Sequence, residues 1–277
     1  MSEQLPLSSI HPLAPEFLSA TALFAAPIDV ENSVGRLPEL WNVRVDPHWE
    51  EFEEGAFGEG SPAGRILRFS VDDVVVMLTP VPQPLRVEQG KLPEHVFHVA
   101  ATFYAPLAAG AGAGASASAD GPVENLEAKL RRRMVQAHVV MTQVMDALMR
   151  EQAAVGVYRG ELGAVQPPHM ITELAESLTR GQAPLPLWVA IRVYSPELSH
   201  GRTLGLPLFG HLDLDVMDSS RTGENVFNML ANISDYIVSS DAFLLPGQTI
   251  GYRDGEELAI TQEVSPADQS PVLRILY

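Results

Sequence analysis

Three polar residues with alternating spacing are the first candidates for chemistry in this 277-residue sequence. His211, Asp213 and Asp215 follow one another at every second position, and the positions between them are apolar, as in a β-strand. Imidazole and carboxylate groups bind metals and act in acid–base catalysis. However, residues two apart on a strand are about 6.5–7 Å apart, too far to share one ion without further ligands. The spacing favours an exposed polar face, or a face paired with arginines, and we expect these residues to bind a partner.

Other catalytic patterns are missing from the sequence. It contains no phosphate-binding glycine loop, no Gly-x-Ser-x-Gly and no His-Glu-x-x-His. His95 and His98 lie three positions apart, but no third metal ligand accompanies them. The sequence has no cysteine, which excludes disulfides, thiolate metal sites and cysteine nucleophiles. We therefore expect neither a cofactor nor a metal.

The net charge limits the classes of partner. Eighteen basic residues face 35 acidic ones, a formal charge of −17, which argues against nucleic-acid binding because phosphate contacts need an excess of Lys and Arg. Such a charge favours a basic protein partner through long-range steering, although it also serves solubility alone. No apolar run spans a bilayer and no signal peptide is recognisable, so we expect a cytoplasmic protein without membrane contact.

The elements that must position the three polar residues lie between residues 187 and 239. Alternating side chains predict strands over Leu187–Tyr194, Thr203–Phe209 and His211–Met217, with a turn at Gly210. Thr222 is a good helix N-cap, and apolar residues at helical spacing follow it to Ser239. This order predicts a sheet with a helix packed on it.

The same patterns predict the other elements. A long helix is expected over Val123–Gln152 and a shorter one over Pro167–Arg180, with Gly181 as its C-cap. Asp72-Asp73 predicts a two-residue hairpin turn. Further strands are expected over Ser19–Ala26, Val43–Trp49, Arg65–Val71, Val74–Leu78, Val96–Tyr104, Val155–Tyr158, Thr249–Tyr252, Leu258–Val264 and Val272–Leu276.

Together these elements predict an α+β fold, with a mixed or antiparallel sheet in two packed sub-regions and the two main helices on its faces. Residues 1–17 are expected to be an extended leader, and residues 18–277 a single α+β domain. Its sub-regions, 18–106 and 122–277, are joined by a flexible Ala/Gly/Ser insertion at 107–121.

Three segments resemble a known family. They are Trp188–Tyr194, the run Gly-x-x-x-Phe-Gly-x-x-Asp-Leu-Asp-Val-x-Asp-Ser over residues 205–219, and Gly247–Tyr252. They are similar to the bacterial domain of unknown function 4261, most clearly over residues 187–277. The family has no established activity, so the resemblance implies no catalytic residues. It does imply that Asp213 and Asp215 are usual in the family, which argues against a metal site particular to this chain.

These observations favour a non-enzymatic, cytoplasmic bacterial interaction protein. By analogy with other uncharacterised bacterial α+β proteins, it would be a toxin-neutralising (immunity) protein or a secretion-system accessory protein that binds a basic protein partner. The alternative is a hydrolase or metal-dependent enzyme that uses the strand face of His211, Asp213 and Asp215. A purely structural oligomer is a third interpretation, and the sequence does not define the oligomeric state.

Overall fold

The computed structural model describes residues 7–53, 55, 63–88, 90–106 and 126–277. Their contacts form two compact units. The C-terminal unit contains residues 7–15, 126–132 and 188–277, and the N-terminal unit contains the described residues of 16–106 and 133–187. Both units combine a sheet with helices, so the predicted α+β class is confirmed. The boundaries of these units differ from those of the predicted sub-regions, 18–106 and 122–277. The predicted insertion at 107–121 lies outside the described residues.

The N-terminal unit is built on a seven-stranded antiparallel sheet in the order β2-β3-β4-β5-β1-β6-β7. At the β3–β4 hairpin, Asp72 has a φ of 50°, a left-handed conformation that aspartate tolerates, and the predicted two-residue turn is confirmed. The strands are β1 (Phe17–Phe24), β2 (His48–Phe52), β3 (Gly64–Val71), β4 (Val74–Val81), β5 (Phe97–Tyr104), β6 (Ala154–Arg159) and β7 (Ala164–Gln166).

Within the described residues, five helices precede the second sheet in the chain. The longest ends at Met149 and not at the predicted Gln152; its apolar stripe is buried from Leu130 to Leu148, whereas Leu126 is exposed. The predicted helix Pro167–Arg180 ends as a 3-10 turn, Glu176–Arg180, which Gly181 terminates with a φ of 68°. The helices are α1 (Val30–Val34), α2 (Leu37–Trp41), α3 (Leu126–Met149), α4 (Pro168–Ala175) and α5 (Leu185–Trp188).

The C-terminal unit contains a six-stranded mixed sheet in the order β11-β12-β13-β10-β9-β8. Only the β10–β13 pair is parallel among the described strand pairs of this sheet. The three closing strands are present as predicted. The strands are β8 (Ala190–Tyr194), β9 (Ser199–Leu204), β10 (Leu214–Ser219), β11 (Thr249–Gly251), β12 (Glu257–Val264) and β13 (Pro271–Leu276).

Helix α6 (Gly223–Ser239) covers one face of strands β8, β9 and β10. It begins as predicted at Thr222, whose side chain accepts a hydrogen bond from the Asn225 backbone N–H at 3.2 Å. The helix approaches β9 closely at Gly201, where a Cβ atom would lie 2.5 Å from Val226 and 2.8 Å from Leu230. The other face of these strands is therefore the one on which a functional surface can form.

Strand β8 is shorter than the predicted strand Leu187–Tyr194. Leu187 and Trp188 end helix α5 and are buried, and β8 begins only at Ala190. Both segments bury apolar side chains, so their alternation in the sequence does not distinguish a short buried helix from a strand.

The predicted strands on either side of Gly210 also have other boundaries in the structure. The predicted strand Thr203–Phe209 ends at Leu204, because Gly205 has a φ of 116° and Pro207 starts the 3-10 turn Leu206–Phe209. The predicted strand His211–Met217 begins at Leu214 instead. Within the predicted leader segment, residues 7–9 form a 3-10 turn and residue 17 begins β1.

Candidate functional site

The three predicted binding residues are buried and have different partners. His211 has no exposed surface, and Asp213 and Asp215 are 7% and 3% exposed. They do not form the exposed polar face that the sequence predicts, because His211 and Asp213 precede strand β10 in a tightly packed turn. Asp215 instead matches the second expectation, a carboxylate paired with an arginine, because Arg274 donates a hydrogen bond to its Oδ2 at 3.0 Å. A binding role for the three residues stays a prediction.

His211 joins the turn before β10 to the N-terminal segment. Its ring packs against that of His11, with centroids 4.2 Å apart and planes tilted by 32°, and the pair lies against Phe243. His211 Nδ1 lies 2.6 Å from the Leu212 carbonyl, and its Nε2 accepts the Leu244 backbone N–H at 3.3 Å. Burial and the neighbouring His11 lower the pKa of His211 to about 3, so the imidazole is neutral at pH 7. The ring acts as a link between main-chain segments.

Asp213 closes the turn between β9 and β10. Its Oδ1 accepts hydrogen bonds from Thr203 Oγ1 at 3.0 Å and from the Leu206 backbone N–H at 3.2 Å. Thr203 Oγ1 in turn accepts the Leu214 backbone N–H at 2.8 Å. Burial raises the pKa of Asp213 to about 7, although these hydrogen bonds and the charge of Arg202 oppose the shift. All of these partners belong to the same turn and its flanking strands, so Asp213 stabilises that turn.

Asp215 belongs to a row of charged residues that crosses the sheet. Strand pairing aligns Arg192 with Arg202, Arg202 with Asp215, and Asp215 with Arg274. Directly paired residues lie on the same face of a sheet, so the row projects from the face opposite α6. The row contains three arginines and one aspartate, which Arg202 and Arg274 flank, in a protein that has nearly twice as many acidic as basic residues.

Arg202 is bound by the turn between β12 and β13. Its NH1 and NH2 donate to both carboxylate oxygens of Asp268 at 2.8 and 2.9 Å, and also to the hydroxyls of Ser265 and Ser270. These hydrogen bonds hold the pKa of Asp268 well below its usual range. The Arg202 Nε is buried without a hydrogen-bond partner, and so is the Nε of Arg274.

A groove of about 390 Å³ opens beside this ion pair. Tyr194 stands on its wall with 70% of its surface exposed, and its ring stacks on His200 with centroids 6.4 Å apart. The groove lies between the open sheet face and the β12–β13 turn. Its lining residues are Arg192, Val193, Tyr194, His200, Gly201, Arg202, Leu204, Asp215, Met217, Ser265, Pro266, Ala267 and Asp268.

The segments that carry this geometry belong largely to the stretch whose sequence resembles a known family. The turn glycines at 205 and 210 both have positive φ, and the aspartates at 213 and 215 have structural partners within the unit. Residues 202–276 match the model of a family described as a domain of unknown function, DUF4261. The resemblance is thus confirmed over this region, while Trp188–Tyr194 lies outside the match. Neither a curated protein nor a solved structure matches the chain.

The groove combines the DUF4261 region with the preceding hairpin. Sequence patterns did not single out Arg192, Tyr194, His200 and Arg202, although alternation along β8 places the first two on one side of that strand. The register between β8 and β9 could not be predicted from the sequence. This register brings Arg192 opposite Arg202 and Tyr194 opposite His200.

Two further expectations concern metals and membranes. Within the described part of the chain, no three His, Asp or Glu side chains come together in a way that could hold a metal ion. Among the described helices, none has both the length and the apolar character that a membrane span requires.

Proposed function

We propose that the chain is a non-enzymatic interaction protein that captures an extended segment of a protein partner at strand β8 and in the groove beside it. The observation that carries this proposal is the position of β8 at the end of the six-stranded sheet, where β9 is its partner within the described residues. An edge strand has backbone N–H and C=O groups available to a further strand. Tyr194 adds a largely exposed aromatic side chain, the type most enriched where proteins bind one another.

The class of partner follows from charge. The formal charge of −17 supports a basic partner, because an acidic surface attracts basic proteins over a distance and raises the association rate. We further propose that the protein works in the cytoplasm of a bacterium, as a toxin-neutralising (immunity) protein or a secretion-system accessory protein. That step rests on analogy with other uncharacterised α+β proteins.

The alternative enzyme has weaker support. A raised pKa at Asp213 would suit a general acid, since perturbed groups collect at active sites. Against this, His211 and Asp213 are buried, and both ring nitrogens of His211 and Oδ1 of Asp213 already bind the main chain or Thr203. A substrate would have to displace the hydrogen bonds of the His211 ring before it reached either ring nitrogen.

Site-specific photocrosslinking tests the proposal. The full chain is produced in cells of its natural source with Tyr194→p-benzoylphenylalanine, irradiated, purified under denaturing conditions and analysed by mass spectrometry. The matched control carries the same replacement at Tyr236, an aromatic residue on α6 with 50% exposure in the same unit.

We expect a defined protein crosslinked at position 194 and not at position 236, with a basic isoelectric point. Suppression of the crosslink by high salt would support electrostatic steering. The interaction proposal would be overturned if position 194 gave no crosslinked protein, or gave the same set as position 236. An acidic partner would overturn the charge argument alone.

A further inference from the structure

Two buried histidines bind the main chain of the same two residues. The four ring nitrogens of His11 and His211 meet the N–H and C=O groups of Leu212 and Leu244, at distances between 2.6 and 3.3 Å. His11 donates from Nε2 to the Leu244 carbonyl and accepts the Leu212 N–H at Nδ1. His211 donates from Nδ1 to the Leu212 carbonyl and accepts the Leu244 N–H at Nε2. These hydrogen bonds, all within the C-terminal unit, form a closed cycle that we call the histidine latch.

The latch requires both rings to be neutral. Each ring uses one nitrogen as a donor and the other as an acceptor, whereas a protonated imidazole has two donors and no acceptor. A proton on Nδ1 of His11 would face the N–H of Leu212. It would also place a positive charge beside the second ring, whose centroid is 4.2 Å away. A single protonation therefore breaks one hydrogen bond of the cycle and leaves a buried N–H without its acceptor.

The charged groups around the latch do not compensate for this loss. Burial and the positive charge of Arg131 lower the pKa of His11, while its main-chain hydrogen bond and the negative charge of Glu127 oppose the shift. Arg131 is itself paired with Asp241, through hydrogen bonds of 2.6 and 3.4 Å. Asp213 follows the latch in the chain, but its Oδ1 binds groups of its own turn. The closed latch therefore disfavours a proton on His11.

His11 anchors the N-terminal segment, residues 7–15. It is 3% exposed, whereas Leu13 in the same segment is 51% exposed. Both hydrogen bonds of the His11 ring are buried. The Ser8 N–H also binds the segment to the start of α3, through Glu127 at 3.1 Å, but that hydrogen bond is exposed. Loss of the His11 hydrogen bonds would thus remove a buried attachment of this segment.

We infer that the histidine latch is an acid-sensitive switch, which holds residues 7–15 at neutral pH and releases them when the rings take up protons. In the released form the His11 ring is solvated and binds protons as in an unfolded chain, so acid favours release. For one histidine, the ratio of released to closed molecules should rise roughly five- to tenfold from pH 7.5 to 5.5. This local opening goes beyond the proposed function and does not depend on it.

Single introduced thiols test the inference, because the sequence contains no cysteine. Ala14→Cys places a thiol at a position of the segment that is 4% exposed, and Leu13→Cys places one at its exposed neighbour. Their rates of reaction with a dithiodipyridine are measured at pH 7.5 and 5.5 on the full chain. The ratio of the two rates corrects for the smaller thiolate population in acid. Ser234→Cys, at a buried position of α6 in the same unit, reports global unfolding.

We expect the rate for Ala14→Cys relative to Leu13→Cys to rise about five- to tenfold from pH 7.5 to 5.5, while Ser234→Cys stays protected. His11→Gln, added to both thiol variants, keeps a donor and an acceptor but takes up no proton, so the relative rate should then be independent of pH. His169→Gln is the matched control, since His169 is exposed on α4, and it should keep the full response.

The inference would be overturned by a relative rate that does not change with pH, or by the same pH response in His11→Gln and His169→Gln. Equal acceleration for Ala14→Cys and Ser234→Cys would also overturn it, because the whole unit would then unfold. Hydrogen–deuterium exchange of residues 7–15 in the unsubstituted chain, corrected for the intrinsic rate at each pH, gives a test that needs no variant. Loss of protection at pH 5.5 would support the switch, and unchanged protection would refute it.

Discussion

The imidazole rings of His11 and His211 pack against each other with their centroids 4.2 Å apart and their planes tilted by 32°. His11 belongs to the N-terminal segment and His211 to the turn before β10. His11 Nε2 lies 2.9 Å from the Leu244 carbonyl, and its Nδ1 accepts the Leu212 backbone N–H at 3.1 Å. Both positions suit the neutral ring, because a proton on Nδ1 would face the N–H of Leu212. Burial correspondingly lowers the pKa of His11.

Replacement of this histidine tests its role as a link. His11→Phe keeps a ring beside His211 but leaves the buried Leu212 N–H and Leu244 carbonyl without their partner. We expect the free energy of unfolding to fall by about 2–4 kcal/mol, because each unsatisfied buried group costs about 1–3 kcal/mol. Urea denaturation followed by circular dichroism at pH 7.5 measures this change. His169→Phe is the control, since His169 is exposed on α4, and equal shifts for the two variants would contradict the assigned role.

The raised pKa of Asp213 predicts a specific pH dependence. Between its ordinary value of 3.8 and about 7, the folded chain keeps a proton that the unfolded chain releases, so this group makes stability fall as pH rises. His211 acts in the opposite sense between about 3 and 6.5, because its lowered pKa keeps the folded ring neutral while the unfolded ring is charged. The two effects therefore oppose each other between about pH 4 and 6.5.

Asp213→Asn removes one of these effects and keeps an oxygen that accepts from Thr203 and Leu206. We expect its free energy of unfolding to rise more steeply than that of the wild type from pH 4 to 6.5, by up to about 1.4 kcal/mol per pH unit. At pH 8 the variant should be the more stable of the two. Urea titrations at half-unit pH intervals measure both curves, and parallel curves would show that Asp213 does not retain its proton in the folded chain.

The close approach of α6 to β9 gives a third prediction. Gly201→Ala would place a Cβ atom 2.5 Å from Val226 and 2.8 Å from Leu230, so the helix or its side chains must shift. Overpacking of this kind costs about 1–3 kcal/mol. Gly251→Ala on β11 is the matched control, because no atom lies within 4 Å of its added Cβ and its φ is not positive. Equal urea midpoints for the two variants would show that α6 adjusts without cost.

Elements with strong local signals were predictable. Helix α6 combines a capping threonine with apolar residues at helical spacing, and the Asp72-Asp73 hairpin combines two turn formers with flanking β-branched residues. The family resemblance over residues 202–276 also depends on local motifs. In helix α6 and in the hairpin, residues that are neighbours in the sequence make the decisive hydrogen bonds or set the backbone conformation.

Predictions were wrong where local patterns suit two structures. Leu187 and Trp188 are apolar and buried, which fits a strand as well as the short helix α5 that they end. His211 and Asp213 continue the alternation of β10, but strand β10 begins only at Leu214. The His211 side chain binds the main chain at Leu244, and that of Asp213 binds the main chain at Leu206. The alternation alone contains no information about those partners.

The candidate site depended on pairing between distant segments. Alternation along each strand assigned residues to faces, but the row from Arg192 through Arg202 and Asp215 to Arg274 exists only because four strands align in one register. A shift of one residue in any pair would move its side chains to the opposite face. Local spacing is therefore sufficient for helix α6 and the Asp72-Asp73 hairpin. The ion pairs of the charged row, the histidine pair and the groove required the folded sheet, because their energies come from contacts between segments far apart in the chain.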